Sequence, residues 1–181
     1  MRLAKPLAPG STIGILGGGQ LGRMLALAAG QLGFKCHIFA PEADSPAFQV
    51  SAAHTLAAYS DTEALAAFAA AVDVVTYEFE NVPAGALVTL GAARPTAPAA
   101  ESVAIAQDRI KEKAHLARSG VPVAPYAVIE TAQHLAGVTD DLLPGILKTA
   151  RLGYDGKSQV RVSSRAELVS AWSRLKGVPC V

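Results

Sequence analysis

Apolar positions along the chain switch between two periods. Residues 12–16 (TIGIL) form a short, nearly continuous apolar run, the pattern of a buried strand. Gly17, Gly18 and Gly19 follow as a turn. Residues 20–32 then place Leu21, Met24, Leu25, Ala28 and Leu32 on one face at helical spacing, with Gly33 ending the helix as a C′ glycine. Residues 35–39 (KCHIF) read as a second strand. Strand, helix and strand within about 30 residues make a βαβ unit, which calls for a parallel sheet and a right-handed crossover.

The alternation continues. Residues 53–57 carry a weak strand pattern. Ser60 and Glu63 have the spacing of a capping box opening a helix through Ala71. Residues 73–77 (DVVTY) form a β-branched strand, and Pro83 suits the first turn of another short helix. The predicted class is therefore α/β with a doubly wound sheet. Residues 91–100 (GAARPTAPAA) read as a connection. A charged helix spans 101–119, closed by Gly120, and two prolines extend residues 121–125. Strands are expected near 126–129, 145–149 and 159–162. Ser164 and Glu167 open a helix to about Lys176. Residues 178–181 read as the start of a strand with nothing to pair it.

Composition narrows the function classes. The 181 residues include 36 alanines, so core side chains are small. Sixteen bases against 15 acids argue against a basic nucleic-acid platform and against an acidic disordered tail. No apolar stretch reaches the 18 or more residues of a spanning helix, and no long apolar run follows the N-terminus as in a signal peptide. Cys36 and Cys180 lack metal-type spacing and read as reduced thiols of a cytoplasmic protein.

Four stretches can carry chemistry. Gly17, Gly19 and Gly22 match G-x-G-x-x-G between a strand and a helix, where backbone N–H groups favour anions. A dinucleotide site also wants an acid ending the second strand. Here the residues are Ala40-Pro41-Glu42, and the acid is offset. Tyr77-Glu78-Phe79-Glu80-Asn81-Val82-Pro83 lies at the carboxyl end of a strand, where open α/β sheets place ligands. On a continuing strand Glu78 and Glu80 point to one side together. Gln107 to Lys113 (QDRIKEK) puts Arg109 and Lys113 on one helix face, and Asp108 and Glu112 form an acidic pair. The strongest stretch is Lys148 to Gln159 (KTARLGYDGKSQ). A lysine ends an apolar strand, then a loop with two glycines and further cations precedes the next strand. Such a loop can fold over phosphates. His37, His54, His115 and His134 are scattered, which argues against a metal site.

Together, GGGQLGRML at 17–25, YEFENVP at 77–83, QDRIKEK at 107–113 and KTARLGYDGKSQ at 148–159 resemble the N-terminal half of the N5-carboxyaminoimidazole ribonucleotide synthetases. These are ATP-grasp enzymes of purine biosynthesis. The resemblance implies a Rossmann-like pre-ATP-grasp domain with a parallel sheet over residues 1–100. The linker helix and lid subdomain of an incomplete ATP-grasp domain would follow over 101–181. It implies that ATP phosphorylates bicarbonate to carboxyphosphate and that 5-aminoimidazole ribonucleotide captures the carboxyl group. Arg109 and Lys148 would bind ATP phosphates. Gly153, Tyr154, Asp155, Gly156, Lys157, Ser158 and Gln159 would form the covering loop. Asp155, Lys157 and Glu78 would stand at the carboxylating centre, and Gly19, Gln20, Leu21, Glu78, Glu80 and Tyr154 would face the aminoimidazole nucleotide. Magnesium ligands are expected beyond residue 181, since family members run to about twice this length. A homodimer is implied for the full-length protein, and no synthetase activity for the 181 residues alone. The family usually has arginine at Ala150 and glycine at Ser158. On the residues alone, a nicotinamide-dependent oxidoreductase domain and a non-catalytic nucleotide-binding module stay open.

Overall fold

The computed structural model describes residues 5–153 and 158–181. Contacts divide the chain into two compact units, Met1–Ala104 and Ile105–Val181.

The first unit is built on β1 (Thr12–Leu16), α1 (Gln20–Gln31), β2 (Lys35–Ala40), β3 (Ala53–Leu56), α2 (Thr62–Ala70), β4 (Val74–Tyr77) and α3 (Ala84–Ala93). A 3-10 turn at Pro46–Val50 precedes β3. The sheet order is β3-β2-β1-β4, and every pairing is parallel. The chain therefore steps outward from β1 to β3 and then crosses back to lay β4 on the other side of β1. That reversal makes the β1/β4 boundary the topological switch point, with the loops after both strands at the same carboxyl edge.

Side chains alternate across this sheet and fill a core on each face. Leu16, Phe39 and Val75 pack with Leu65 and Phe68 of α2 and Leu87 and Leu90 of α3. Ile15, Cys36 and Ile38 pack on the opposite face with Ala26 and Ala29 of α1 and Ala47. Residues covered on both sides explain why β1 and β2 read as nearly continuous apolar runs.

Several expectations need correction. The Leu21, Met24, Leu25, Ala28, Leu32 stripe of α1 faces solvent, and the helix buries Gly22, Ala26 and Ala29 instead. Close helix-on-sheet approach selects the small residues. Asp61, not Ser60, caps α2, its carboxylate accepting from the Ala64 N–H at 2.9 Å. The 91–100 segment is partly ordered against the sheet: Thr96 bridges Val75 in parallel sense, and α3 runs on to Ala93.

The expected helix over 101–119 is two helices, α4 (Ala100–Ala106) and α5 (Arg109–Arg118). Asp108 breaks them by capping α5, accepting from the Ile110 and Lys111 N–H groups. In the second unit α6 (Ala132–Ala136), which the apolar pattern does not reveal, is capped by Thr131. The antiparallel pair β5 (Gly145–Lys148) and β6 (Gln159–Val162) follows, then α7 (Arg165–Arg174), capped by Ser164. Residues 126–129 form no strand beyond an Ile129–Cys180 bridge. The terminal segment does find partners: Cys180 pairs with Ile129, and Val181 exchanges backbone bonds with Lys148 at 2.8 Å each way. Ile129, Leu147, Val162, Leu168 and Cys180 form this unit's core.

Cys36 and Cys180 are buried free thiols, and burial pushes both above the usual thiol range. His37 is also buried. Its Nε2 lies 2.8 Å from Thr55 Oγ1, and its ring meets Phe68 edge-on. Burial, with His54 nearby, holds this imidazole below its ordinary value. The unfolded chain therefore takes up the proton first as pH falls through about 6.5. Stability present in full above that pH is lost as pH falls toward the native value. Urea unfolding should show a lower midpoint at pH 5.5 than at pH 7, and a smaller difference in His37→Leu. An equal difference in the two proteins would remove His37 as the cause.

Candidate functional site

At the switch point, β1 ends in the glycine turn and β4 ends one residue before Glu78. The chain bends over residues 78–82, so Glu78 and Glu80 do not continue a strand side by side. Glu78 turns onto the first turn of α1. Its Oε1 accepts from the Gly19 N–H at 2.7 Å, and its Oε2 accepts from the Gly22 N–H. Glu80 is exposed, and its Oε1 accepts from Asn81 Nδ2 at 3.2 Å. Gln20 and Leu21 open α1, and both are exposed.

This carboxylate explains the glycines. Gly17 has φ +108, and a Cβ there would run into the Glu78 side chain. A Cβ on Gly22 would lie 2.7 Å from the Gly17 carbonyl oxygen and 3.2 Å from Glu78 Oε2. The glycines at these two positions let an internal carboxylate sit where a helix N-terminus attracts anions.

A cavity of about 320 Å³ opens beside this contact, lined by Gly17 to Gly19, Glu42, Asp44, Ser45, Pro46, Tyr59, Glu78 and Phe79. Three carboxylates therefore face it. Burial, with Glu42 and Glu78 adding to it, raises the Tyr59 phenol far above its usual range, so Tyr59 stays a neutral hydroxyl. A dinucleotide pyrophosphate would have to expel Glu78 from the α1 N-terminus and settle beside Glu42 and Asp44. The geometry disfavours the nicotinamide reading on those grounds. Glu42, Asp44 and Tyr59 are lining residues that motif spacing does not mark. The one signal for them is their place just after β2 and β3, at the edge where ligands bind.

The second unit holds a different arrangement. The start of α5 is stapled to the segment after β5. The Arg109 N–H donates to the Ala150 carbonyl at 2.8 Å, and the Arg109 guanidinium donates to the Gly153 carbonyl at 2.7 Å. Arg151 reaches Gln107 Oε1 at 3.3 Å and Asp108 at 3.7 Å. Asp108 thus belongs to a cap and a loop clamp, not to a solvated acidic face. Ala150 is buried, and the side chain that reaches Gln107 and Asp108 is that of Arg151 next to it. Ser158 has φ +70, a conformation glycine adopts freely, and Gln159 begins β6. Tyr154, Asp155, Gly156 and Lys157 lie outside the described residues.

A second cavity, of about 240 Å³, is walled by apolar side chains including Ile129, Leu142, Leu147 and Val162. Two cations, Lys113 and Lys148, line it, and no described lining side chain is acidic. Lys113 Nζ stands 4.9 Å from the centre of the Tyr126 ring. An apolar pocket edged by cations suits a flat ring carrying a polyphosphate. The QDRIKEK spacing links Lys113 to Arg109. In the structure Arg109 holds the loop while Lys113 shares the cavity with Lys148.

Comparison with known proteins gives this arrangement its family. Residues 10–107 match the ribonucleotide synthetase preATP-grasp domain, and residues 114–181 match the ATP-grasp domain. The chain belongs to the ribonucleotide synthetase preATP-grasp family. It is 46% identical over 178 residues to an N5-carboxyaminoimidazole ribonucleotide synthase from Brucella melitensis, covering 97% of this chain and 49% of the relative. An ADP complex of an N5-carboxyaminoimidazole ribonucleotide synthetase superposes with a TM-score of 0.91 at 37% identity, covering 98% of this chain and 48% of that one. An Aspergillus clavatus synthase solved with ADP and 5-aminoimidazole ribonucleotide superposes at 0.83 with 31% identity, covering 95% and 46%. The chain thus spans about half the length of the relatives it matches.

The Glu78 seat is testable without a ligand. Gly17→Ala should destabilise the protein by about 2 kcal/mol through the clash and the positive φ. In a Glu78→Ala background the clash is gone and only the backbone strain remains. The two changes should therefore be non-additive by at least about 0.5 kcal/mol in a urea double-mutant cycle. Additivity would mean that the carboxylate does not occupy that position.

Proposed function

We propose that this chain supplies the aminoimidazole-facing and part of the ATP-facing machinery of an ATP- and bicarbonate-dependent carboxylation. The product is N5-carboxyaminoimidazole ribonucleotide, in de novo purine biosynthesis. The observation that carries this reading is that both cavities lie within the stretch shared with a synthase that binds ADP and 5-aminoimidazole ribonucleotide. On this reading residues 1–100 form the pre-ATP-grasp domain and 101–181 an incomplete ATP-grasp domain.

The chemistry divides between the cavities. Bicarbonate attacks the terminal phosphorus of ATP, the bond to the bridging oxygen breaks, and ADP leaves as carboxyphosphate forms. The exocyclic amine of the ribonucleotide then forms a bond to the carboxyl carbon, losing a proton as inorganic phosphate departs. Phosphoryl transfer depends on positioning and charge neutralisation. Lys148 and Lys113 serve that role at the apolar cavity, and Arg109 joins them from the loop base. Gly153, Tyr154, Gly156, Ser158 and Gln159 belong to the phosphate-covering loop. By resemblance to the family, Asp155 holds the amine or takes its proton, and Lys157 is assigned to the same step.

The acidic cavity sets the pose of the other substrate. Glu42, Asp44 and Glu78 repel a phosphate and accept hydrogen bonds from hydroxyls or an amine. The ribonucleotide therefore enters with its sugar and amine toward Glu78, and with Gly19, Gln20 and Leu21 forming the rim. Glu80 belongs to the same edge of the first unit, and the substrate's phosphate points outward.

Among the described residues no cluster of three or more His, Cys, Asp or Glu side chains is placed to hold a metal ion. The described residues do not fit magnesium, and no step here passes through it. Its ligands belong to the part of the longer relatives that this chain does not span. No described helix is long and apolar enough to cross a membrane. Cytoplasmic residence and a homodimer of the longer protein belong to the same proposal.

The deciding assay is ATP turnover dependent on bicarbonate and 5-aminoimidazole ribonucleotide. It should be present in a form extended to the length of the relatives and absent from the 181 residues. Turnover in neither would leave a non-catalytic nucleotide-binding module as the better account. In the extended form Lys148→Ala should lower kcat/KM for ATP at least tenfold, about 1.4 kcal/mol. Near-parental kinetics would remove Lys148 from the phosphate site. Asp155→Asn should impair carboxylation more than ATP binding, and unchanged carboxylation would take Asp155 out of the centre.

A further inference from the structure

The hollow in the first unit has an uneven supply of hydrogen-bonding groups. Three of its lining side chains, Glu42, Asp44 and Glu78, are carboxylates and accept. Its side-chain donors are the hydroxyls of Ser45 and Tyr59. The Ser45 hydroxyl is already engaged, donating to the Glu42 carbonyl at 2.6 Å. Two main-chain donors of the glycine turn are engaged as well. The Gly17 N–H donates to the Phe39 carbonyl at 2.9 Å, and the Gly19 N–H donates to Glu78 Oε1 at 2.7 Å. Among the lining side chains, the donor left to address a ligand is the Tyr59 hydroxyl.

Tyr59 lies between β3 and α2, and its ring rests on an aromatic shelf. It stacks on the fully buried Phe39 with ring centres 5.8 Å apart and planes at 25°, and Phe79 tilts against it at 6.5 Å. Asp61, two residues on, caps α2 and holds the backbone there. Burial and the neighbouring Glu42 and Glu78 keep the phenol protonated. A fixed, neutral donor therefore stands among acceptors.

A group seated here has to donate to the carboxylates and accept from the phenol at once. An ammonium only donates. A phosphate accepts and is repelled by the carboxylates. A hydroxyl does both. Two neighbouring hydroxyls on one ring meet the acceptors and the donor together. We propose that Tyr59 is a specificity-determining residue that reads the ribose diol of the ribonucleotide. Its hydroxyl donates to one sugar hydroxyl, and the diol donates in turn to the carboxylates around it. A site that hydrogen-bonds a hydroxyl rejects the analogue lacking it, because the site's own polar groups are then left unpaired. The assignment rests on the ribonucleotide entering this hollow by its sugar, and it adds to that reading the residue that tells ribose from deoxyribose.

Tyr59→Phe is the test, since it keeps the ring on its shelf and removes only the hydroxyl. In the extended form it should raise KM for 5-aminoimidazole ribonucleotide at least about tenfold, with kcat and the KM for ATP unchanged. The preference for this substrate over its 2′-deoxy or its 3′-deoxy analogue should fall at least about fivefold for the hydroxyl that Tyr59 meets. A lower kcat with both preferences intact would make Tyr59 a packing residue and overturn the assignment. So would an unchanged KM. A second measurement needs no turnover. Saturation-transfer NMR on the 181-residue chain, with millimolar ribose 5-phosphate as the probe, should show the sugar C2 and C3 protons saturated, and Tyr59→Phe should abolish the signal. No saturation from the parental chain, or equal saturation from both proteins, would overturn the assignment. Sugar binding that depends on Tyr59, in a protein whose extended form turns over no ATP, would instead sink the carboxylation reading and leave the role of Tyr59 standing.

Discussion

The grip of Glu78 on the first turn of α1 is the contact on which the first unit's organisation depends. A parallel sheet brings the loops after β1 and β4 together at one edge, and the helix following β1 presents unpaired N–H groups there. The chain meets that need with its own carboxylate, through Gly19 and Gly22. Three consequences follow. The helix dipole is complemented internally, the glycine turn loses its capacity for a pyrophosphate, and α1 is fixed in rotation about its axis.

The fixed rotation shows where apolar patterning reads true and where it does not. The steps of β1, α1, β2 and β4 are legible because strands covered on both faces must be apolar throughout. The inward face of α1 is not legible, because the 3.6 period marks a stripe of leucines without saying that the sheet wants its smallest neighbours. Gly22, Ala26 and Ala29 form a row of their own, hidden in a chain with 36 alanines. Likewise the run 101–119 has helical character at every position, and only the Asp108 side chain, turned back onto two N–H groups, divides it.

Site residues were legible to different degrees for chemical reasons. Carboxylates at a strand end and a lysine ending an apolar strand are costly placements, so they stand out in one dimension. Their partners do not. Glu42, Asp44 and Tyr59 reach the first cavity from the ends of neighbouring strands, and Lys113 reaches the second from one turn into α5. Parallel topology sets the first encounter and the packing of α5 by the antiparallel β5–β6 pair the second, and local spacing holds no trace of either. The short α6 escaped for a related reason: five residues give no period, and only the Thr131 cap marks the start.

The linings of the two cavities carry opposite charge, acidic in the first unit and basic in the second. An acidic hollow with a neutral Tyr59 hydroxyl rejects polyphosphate, while an apolar hollow edged by Lys113 and Lys148 rejects ammonium-like groups and attracts it. On the proposed reading, this contrast would steer each substrate class away from the other's seat. Discrimination of this kind resides in charge placement, so it survives loop movement that would spoil a shape-fitted pocket. The loop after β5 is stapled at its base within the second unit. Arg109 and Asp108 fix where that loop begins, through main-chain carbonyls, a helix cap and the Arg151 ion pair. The anchorage of the segment after β5 is carried by the start of α5.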